Sequence, residues 1–223
     1  EHLAILDLLQ INGGVVALTK IDMVDDPDWL DLVESDISQV LHGSVLQDAP
    51  IVRVSARKGI GLQTLKDSLI QTLSQSPTRL DLGKPRLPVD RVFTVPGFGT
   101  VVTGTLTDGH LSIGEDLEIL PGGYRGRVRG LQTHKQKEQT ALPGSRTAIN
   151  ISGISFDDLE RGNVVAHPGD YKATQRMDVF FRHLPESNHP LKHNTEVKLY
   201  IGTAEIVARV RLLGMEELLP GQE

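Results

Sequence analysis

The sequence contains no cysteine, one tryptophan and three tyrosines. The absence of cysteine excludes a disulfide framework, a thiolate zinc site and a cysteine nucleophile, and it fits a reducing compartment. Aromatic residues make up 4% of the chain, so the 39% apolar content is aliphatic. That composition, with 22 glycines, favours sheets joined by tight turns over aromatic stacking platforms. No apolar stretch approaches the roughly 20 residues that span a bilayer. Glu1-His2-Leu3-Ala4-Ile5 has neither the basic start nor the apolar core of a signal peptide. It reads as the middle of a helix, and the chain is expected to be a piece of a longer protein.

What is present is uneven. Residues 1–80 hold 11 acids and 6 bases, residues 81–170 hold 11 and 10, and residues 171–223 hold 7 and 7. An acidic leading segment argues against broad nucleic-acid binding there, leaving polyanion contacts to the remainder. Leu3, Ile5, Leu6 and Leu9 make a helical face that Asn12-Gly13-Gly14 stops. Val15-Val16-Ala17-Leu18 has the pattern of a strand buried on both faces. Asp26-Pro27 supplies an N-cap and a first-turn proline for a helix carrying Trp29, Leu32, Val33, Ile37, Val40 and Leu41. Pro50 to Val54 is a second buried strand, and Leu62, Leu65, Leu69 and Leu73 mark a third helix. This alternation predicts a parallel sheet covered by helices over 1–76.

The pattern changes at Ser76-Pro77-Thr78, and Pro85 and Pro88 mark a linker over 77–86. Short β-branched runs follow: Val89–Val95, Gly99–Leu106, Leu117–Leu120, Gly126–Leu131 and Arg146–Ile151. Pro121-Gly122-Gly123 and Asp108-Gly109 carry turn chemistry, so 87–169 reads as a small β-barrel. A second break at His167-Pro168-Gly169-Asp170 precedes expected strands at Met177–Phe181, Glu196–Ile201 and Glu205–Leu213. Residues 170–223 are therefore expected to form part of a second barrel.

Two motifs follow the two buried strands. Thr19-Lys20-Ile21-Asp22 sits at the end of the first, where open α/β sheets bind ligands. Asp22 can accept both the N1–H and the exocyclic amine of guanine, a donor pair that adenine lacks. The Lys20 stem can lie over the base. A polar strand end with Asp22 capping a turn explains the same residues. Ser55-Ala56-Arg57 follows the second strand, and a backbone N–H offered by its turn can bind the guanine O6. Arg125, Arg127 and Arg129 alternate on one face of a strand and suit either an RNA backbone or solvent. Phe98, at a turn, suits stacking near a tRNA acceptor end or simple packing. His183, His189 and His193 lack metal-ligand regularity, and neither a metal site nor a catalytic residue is expected in the chain.

Together the two loops resemble the fourth and fifth guanine-nucleotide motifs of GTPases, with Thr19 where asparagine is commoner. Leu87-Pro88-Val89-Asp90-Arg91-Val92-Phe93-Thr94-Val95-Pro96-Gly97-Phe98-Gly99-Thr100-Val101-Val102-Thr103-Gly104 resembles the second-domain signature of translational GTPases. Asp90-Arg91, Pro143 to Asn150 and Ile201 to Val210 are similar to the selenocysteine-specific elongation factors. The resemblance implies the second half of a P-loop GTPase domain followed by two β-barrels of the translation-factor domain II and III types. It implies a cytoplasmic protein that binds GTP through Thr19, Lys20, Asp22, Ser55 and Ala56, with Mg²⁺ held by residues outside this chain. It also implies a selenocysteine pocket at Asp90, Arg91 and Arg146. The implied partners are selenocysteyl-tRNA, the ribosome and, through a further C-terminal extension, a selenocysteine-insertion hairpin in messenger RNA.

No G-x-x-x-x-G-K-[ST] loop occurs in the chain, so residues 1–223 alone are expected not to hydrolyse GTP. Three alternatives fit parts of the pattern: a general aminoacyl-tRNA carrier like elongation factor Tu, the GTPase subunit of sulfate adenylyltransferase, and a non-catalytic β-barrel binding module.

Overall fold

In a computed structural model, the protein is described over residues 2–76, 79–185 and 187–223. The expected break at Pro77-Thr78 lies outside the described residues. The chain divides into two compact units, Glu1–Thr78 and Arg79–Glu223.

The first unit alternates helix and strand: α1 (His2–Leu9), β1 (Val16–Leu18), α2 (Pro27–Leu41), β2 (Ile51–Arg53) and α3 (Leu62–Gln75). α2 begins where its sequence dictates: Asp26 accepts the Asp28 N–H and Pro27 occupies the first turn, where its missing donor costs nothing. β1 and β2 pair in parallel, Ala17 opposite Val52. Arg53 ties β2 to α2 through Glu34 (2.6 Å) and Asp31 (2.5 Å). Those hydrogen bonds, Glu34 foremost, raise the guanidinium pKa further. Val52 is buried, but Val16 and Leu18 are half-buried and Ala17 is exposed. The expectation of β1 buried on both faces is therefore not met, because no element among the described residues covers the face that Ala17 presents.

The second unit is all-β. Its strands are β3 (Arg86–Val95), β4 (Gly99–Thr105), β5 (Leu111–Ser112), β6 (Asp116–Leu120), β7 (Tyr124–Thr133), β8 (Gln136–Glu138), β9 (Thr140–Ala141), β10 (Arg146–Ser152) and β11 (Val164–Ala166). Pairing runs β10-β4-β3-β11-β6-β7 and closes through β7–β10, giving a six-stranded barrel with β8 extending β7. Inward residues of these strands, among them Leu87, Val102, Leu117, Ile119, Val128 and Ile149, form one core. Gly104 is needed where two backbones meet: a Cβ there would lie 2.2 Å from the Pro88 carbonyl oxygen.

Beyond the barrel run β12 (Leu191–Lys192), β13 (Glu196–Ile201), β14 (Ala204–Arg209) and β15 (Glu217–Leu218), which form two separate two-stranded sheets. The strand expected at Met177–Phe181 does not form; no strand pairs with this run among the described residues, and Met177, Val179 and Phe180 are exposed.

Candidate functional site

The chemistry of the first unit gathers at the carboxyl ends of β1 and β2. The Val54 N–H donates to the Leu18 carbonyl (2.8 Å) and the Ile21 N–H to that of Val54 (3.4 Å), so the two strand ends stay level. Lys20 takes a left-handed conformation (φ 61°), which turns the chain into the short 3₁₀ turn Ile21–Met23 that carries Asp22. Thr19 and Lys20 are exposed beside it. Ser55, fully buried, donates its hydroxyl to Asp22 Oδ1 (2.6 Å) and accepts the Lys58 N–H (3.1 Å). The Ser55 hydrogen bond, the Asp22 backbone N–H and the Lys58 charge outweigh partial burial and hold the Asp22 carboxyl below its usual range.

The Ser55 N–H is committed to the Ile60 carbonyl (2.9 Å). The N–H groups of the exposed Ala56, Arg57 and Gly59 find no acceptor among the described residues, and that of Ala56 directly follows Ser55. The turn stays tight because Gly61 (φ 73°) opens α3: a Cβ there would lie 1.9 Å from the Arg53 carbonyl oxygen. This edge presents an ionised carboxylate, a neighbouring N–H and a lysine stem, the donor and acceptor set that suits the edge of guanine.

The second cluster lies on the barrel. β3 carries a bulge between Val89 and Arg91, so Asp90 is the extra residue opposite β4. Arg146, at the start of β10, grips Asp90 with both terminal nitrogens, Nη1 on Oδ2 and Nη2 on Oδ1 (3.1 Å). Thr103 Oγ1 donates to Oδ1 (2.7 Å). Burial alone would raise the Asp90 pKa; the hydrogen bonds from Arg146 and Thr103 and the charges of Arg146 and Arg91 prevail and lower it. Asp90 in turn raises that of Arg146. The Asp90 side chain is 21% exposed and that of Arg146 55%.

Arg91 is exposed, pairs in register with Thr103 and makes no ion pair among the described residues. Arg146 bonds the Asp90 carboxylate directly, and the charge of Arg91 acts on it without a bond. Thr103 was not singled out from sequence; its signal was its place opposite Arg91 in a hairpin whose turn, Pro96 to Gly99, was legible.

The other candidates resolve differently. Arg125 faces Glu118 (3.9 Å) and Arg127 pairs with Asp116 (2.9 Å), both acids on β6. Arg129 donates to the Phe98 carbonyl (3.4 Å), which also accepts the Asn150 side-chain amide (2.9 Å). This basic face is therefore largely neutralised by its own barrel. The Phe98 ring is 53% exposed at the β3–β4 turn. His183 and His193 bond the carbonyls of Leu218 and Leu212. Among the described residues there is no group of three or more acids or histidines that could hold a metal ion, and no helix long and apolar enough to cross a membrane.

Comparison with known proteins bears on these clusters. Residues 99–166 match the family Elongation factor Tu domain 2. The chain is 48% identical over its full length to a selenocysteine-specific elongation factor of Desulfomicrobium baculatum, covering 35% of that protein. It is 33% identical, over 74% of its length, to a selenocysteine-specific elongation factor of Methanocaldococcus jannaschii, again covering 35%. Translation elongation factor SelB from Methanococcus maripaludis is structurally similar at 26% identity. Its apo form gives a TM-score of 0.76 over 99% of this chain and 49% of that one. Its complex with the GTP analogue GppNHp gives 0.78 over 93% and 46%. The chain thus spans about a third of the length of the curated relatives it matches. It is therefore similar, over its full length in the first case and over about a third of theirs in both, to selenocysteine-specific elongation factors.

Proposed function

We propose that these residues are the guanine-reading half of a GTPase domain, a domain II barrel and part of a domain III barrel of a GTP-dependent elongation factor. That factor delivers selenocysteyl-tRNA to the ribosome at recoded UGA codons. The boundaries proposed are 1–76, a linker over 77–86, 87–169 and 170–223. The names of the relatives favour this over a general aminoacyl-tRNA carrier, a sulfate adenylyltransferase subunit or a non-catalytic module. The messenger-RNA hairpin would be held by a part of the protein outside these residues, and a cytoplasmic location follows from the reading.

In this reading Asp22 accepts the two guanine donors, the Ala56 N–H donates to O6, and the Lys20 stem covers the base. Ser55 acts through Asp22, fixing its carboxylate in the ionised form. GTP with Mg²⁺ supplies the phosphoanhydride whose hydrolysis releases the tRNA. No residue in this chain is assigned to the phosphates or the metal, so the chain alone does not hydrolyse GTP.

The observation that carries the reading is the arrangement around Asp90. Arg146 pairs with the Asp90 carboxylate, and the next residue on the strand, Arg91, is an exposed cation that makes no ion pair among the described residues, so the three side chains carry a net positive charge. A selenol is more acidic than a thiol, whose ordinary pKa is about 8.5, so selenocysteine arrives as an anion while serine arrives neutral. Charge-assisted hydrogen bonds to the selenolate compensate the arginines; a seryl hydroxyl does not. The test is to measure dissociation constants for selenocysteyl- and seryl-tRNA in the longest natural chain that carries these residues. Replacing Arg91 and Arg146 together with alanine should abolish the preference for selenocysteyl-tRNA. An unchanged preference contradicts the reading.

A further inference from the structure

The turn between β13 and β14 touches the barrel at the point from which Asp90 departs. Thr203 Oγ1 donates to the Val89 carbonyl (2.6 Å), which also accepts the Gly162 N–H (2.9 Å). Both lone pairs of that oxygen are thereby used, one by the barrel and one by the segment beyond it. The Val89 N–H donates to the Asn163 carbonyl (2.8 Å), so the residue preceding the bulge is fixed on both polar groups. The turn is itself held in place: Arg161 Nε donates to the Thr203 carbonyl (3.2 Å). Space at this contact is minimal. A Cβ on Gly202 (φ 58°) would lie 3.1 Å from Pro88 Cβ, and one on Gly162 would lie 3.0 Å from Ala204 Cβ.

A bulge is the least constrained part of a strand, since its extra residue has no ladder partner. Arg146 and Thr103 hold the Asp90 carboxylate, and Thr203 bonds the backbone of the residue by which the strand enters the bulge. We infer that Thr203 is a positioning residue for the Asp90–Arg91–Arg146 cluster, so that docking of the β13–β14 turn sets the geometry with which the barrel receives a selenolate. The inference rests on the pocket reading above and adds to it a coupling between the segment after the barrel and cargo choice.

The experiment uses the longest natural chain and compares Thr203→Val, Thr203→Ser and Arg146→Ala. The ratio of seryl- to selenocysteyl-tRNA dissociation constants is the first readout; titration of the Asp90 carboxyl by NMR in residues 1–223 is the second. Loss of one hydrogen bond corresponds to about a fivefold change. Thr203→Val should therefore lower the ratio about fivefold and move Asp90 upward toward its ordinary titration range. Thr203→Ser, which keeps the donor, should restore both.

Should Thr203→Val fail to fold, Arg161→Ala takes its place, removing only the hold on the Thr203 carbonyl, with a drop of about twofold to threefold. If Arg146→Ala loses discrimination while Thr203→Val keeps it and leaves Asp90 unmoved, the pocket stands and the positioning role is overturned. If Arg146→Ala itself keeps discrimination, the pocket reading is overturned and the positioning role falls with it.

Discussion

The barrel and the leading unit bury their apolar residues very differently. The barrel closes on itself, so each of its six strands has two neighbours and Leu87, Val89, Val102, Leu117 and Ile149 are at most barely accessible. Among its described residues the leading unit has two strands and three α-helices, and its buried apolar residues are Leu41, Leu46, Val52 and Val54. Trp29, Leu32, Val40, Leu69 and Leu73 belong to helical stripes legible in the sequence, yet remain exposed. An apolar stripe at helical spacing shows which face is prepared for burial, not that these residues alone supply the cover. Closure makes the barrel the rigid platform on which a cluster such as Asp90–Arg146 can hold its geometry.

This contrast can be broken by substitution. Ile149→Ala should cost about 2–5 kcal/mol of barrel stability by lost transfer energy and a residual cavity, read by denaturant unfolding. Leu73→Ala, at a side chain 70% exposed, should stay within about 0.5 kcal/mol. Equal losses at the two sites would mean that the regions are not differently packed.

The next effect is in pH. The folded state lowers the pKa values of both Asp90 and Asp22, so each contributes stability that is present above its unfolded value. That value is about 3.9, and the contribution is lost as pH falls below it through the depressed folded one. Asp90 is held by Arg146 and Thr103 with two arginine charges, Asp22 by one serine hydroxyl, its backbone and one lysine charge. Asp90→Asn should remove part of the acid sensitivity of barrel unfolding below about pH 4. Ser55→Ala should raise the Asp22 titration midpoint toward the ordinary range and leave Asp90 where it is, as followed by NMR.

The smallest effect concerns the arginines of β7. Arg127 pairs with Asp116 where both side chains are more than half exposed. Arg127→Ala should therefore change barrel stability by at most about 1 kcal/mol, and the difference should shrink with added salt. A larger loss would mean that this face holds the barrel together.

Much of this was legible in the sequence, for identifiable reasons. α2 was readable because Asp26-Pro27 is a local start signal that acts whatever surrounds it. The barrel hairpins were readable because their turns carry glycine, proline and aspartate between β-branched runs. β11 was not, because Val164–Ala166 is three residues long and exists only by bridging β3 and β6. Met177–Phe181 has the composition of a strand, but a strand is a property of a pair, and no partner is described there. At the sites, residue types announced Asp22 and Asp90. Ser55 was also named from its sequence, but that its hydroxyl bonds Asp22, and that of Thr103 bonds Asp90, became visible only in the folded chain.

In the proposed function the cluster around Asp90 selects its cargo by charge. That selection is tested most directly by the pH dependence of affinity for cysteinyl-tRNA, whose thiol ionises near pH 8.5. Cysteinyl-tRNA should bind progressively tighter as pH rises, approaching selenocysteyl-tRNA, while seryl-tRNA stays flat, and the rise should disappear when Arg91 and Arg146 are both replaced. A cysteinyl curve as flat as the seryl one in the unsubstituted protein would contradict selection by charge.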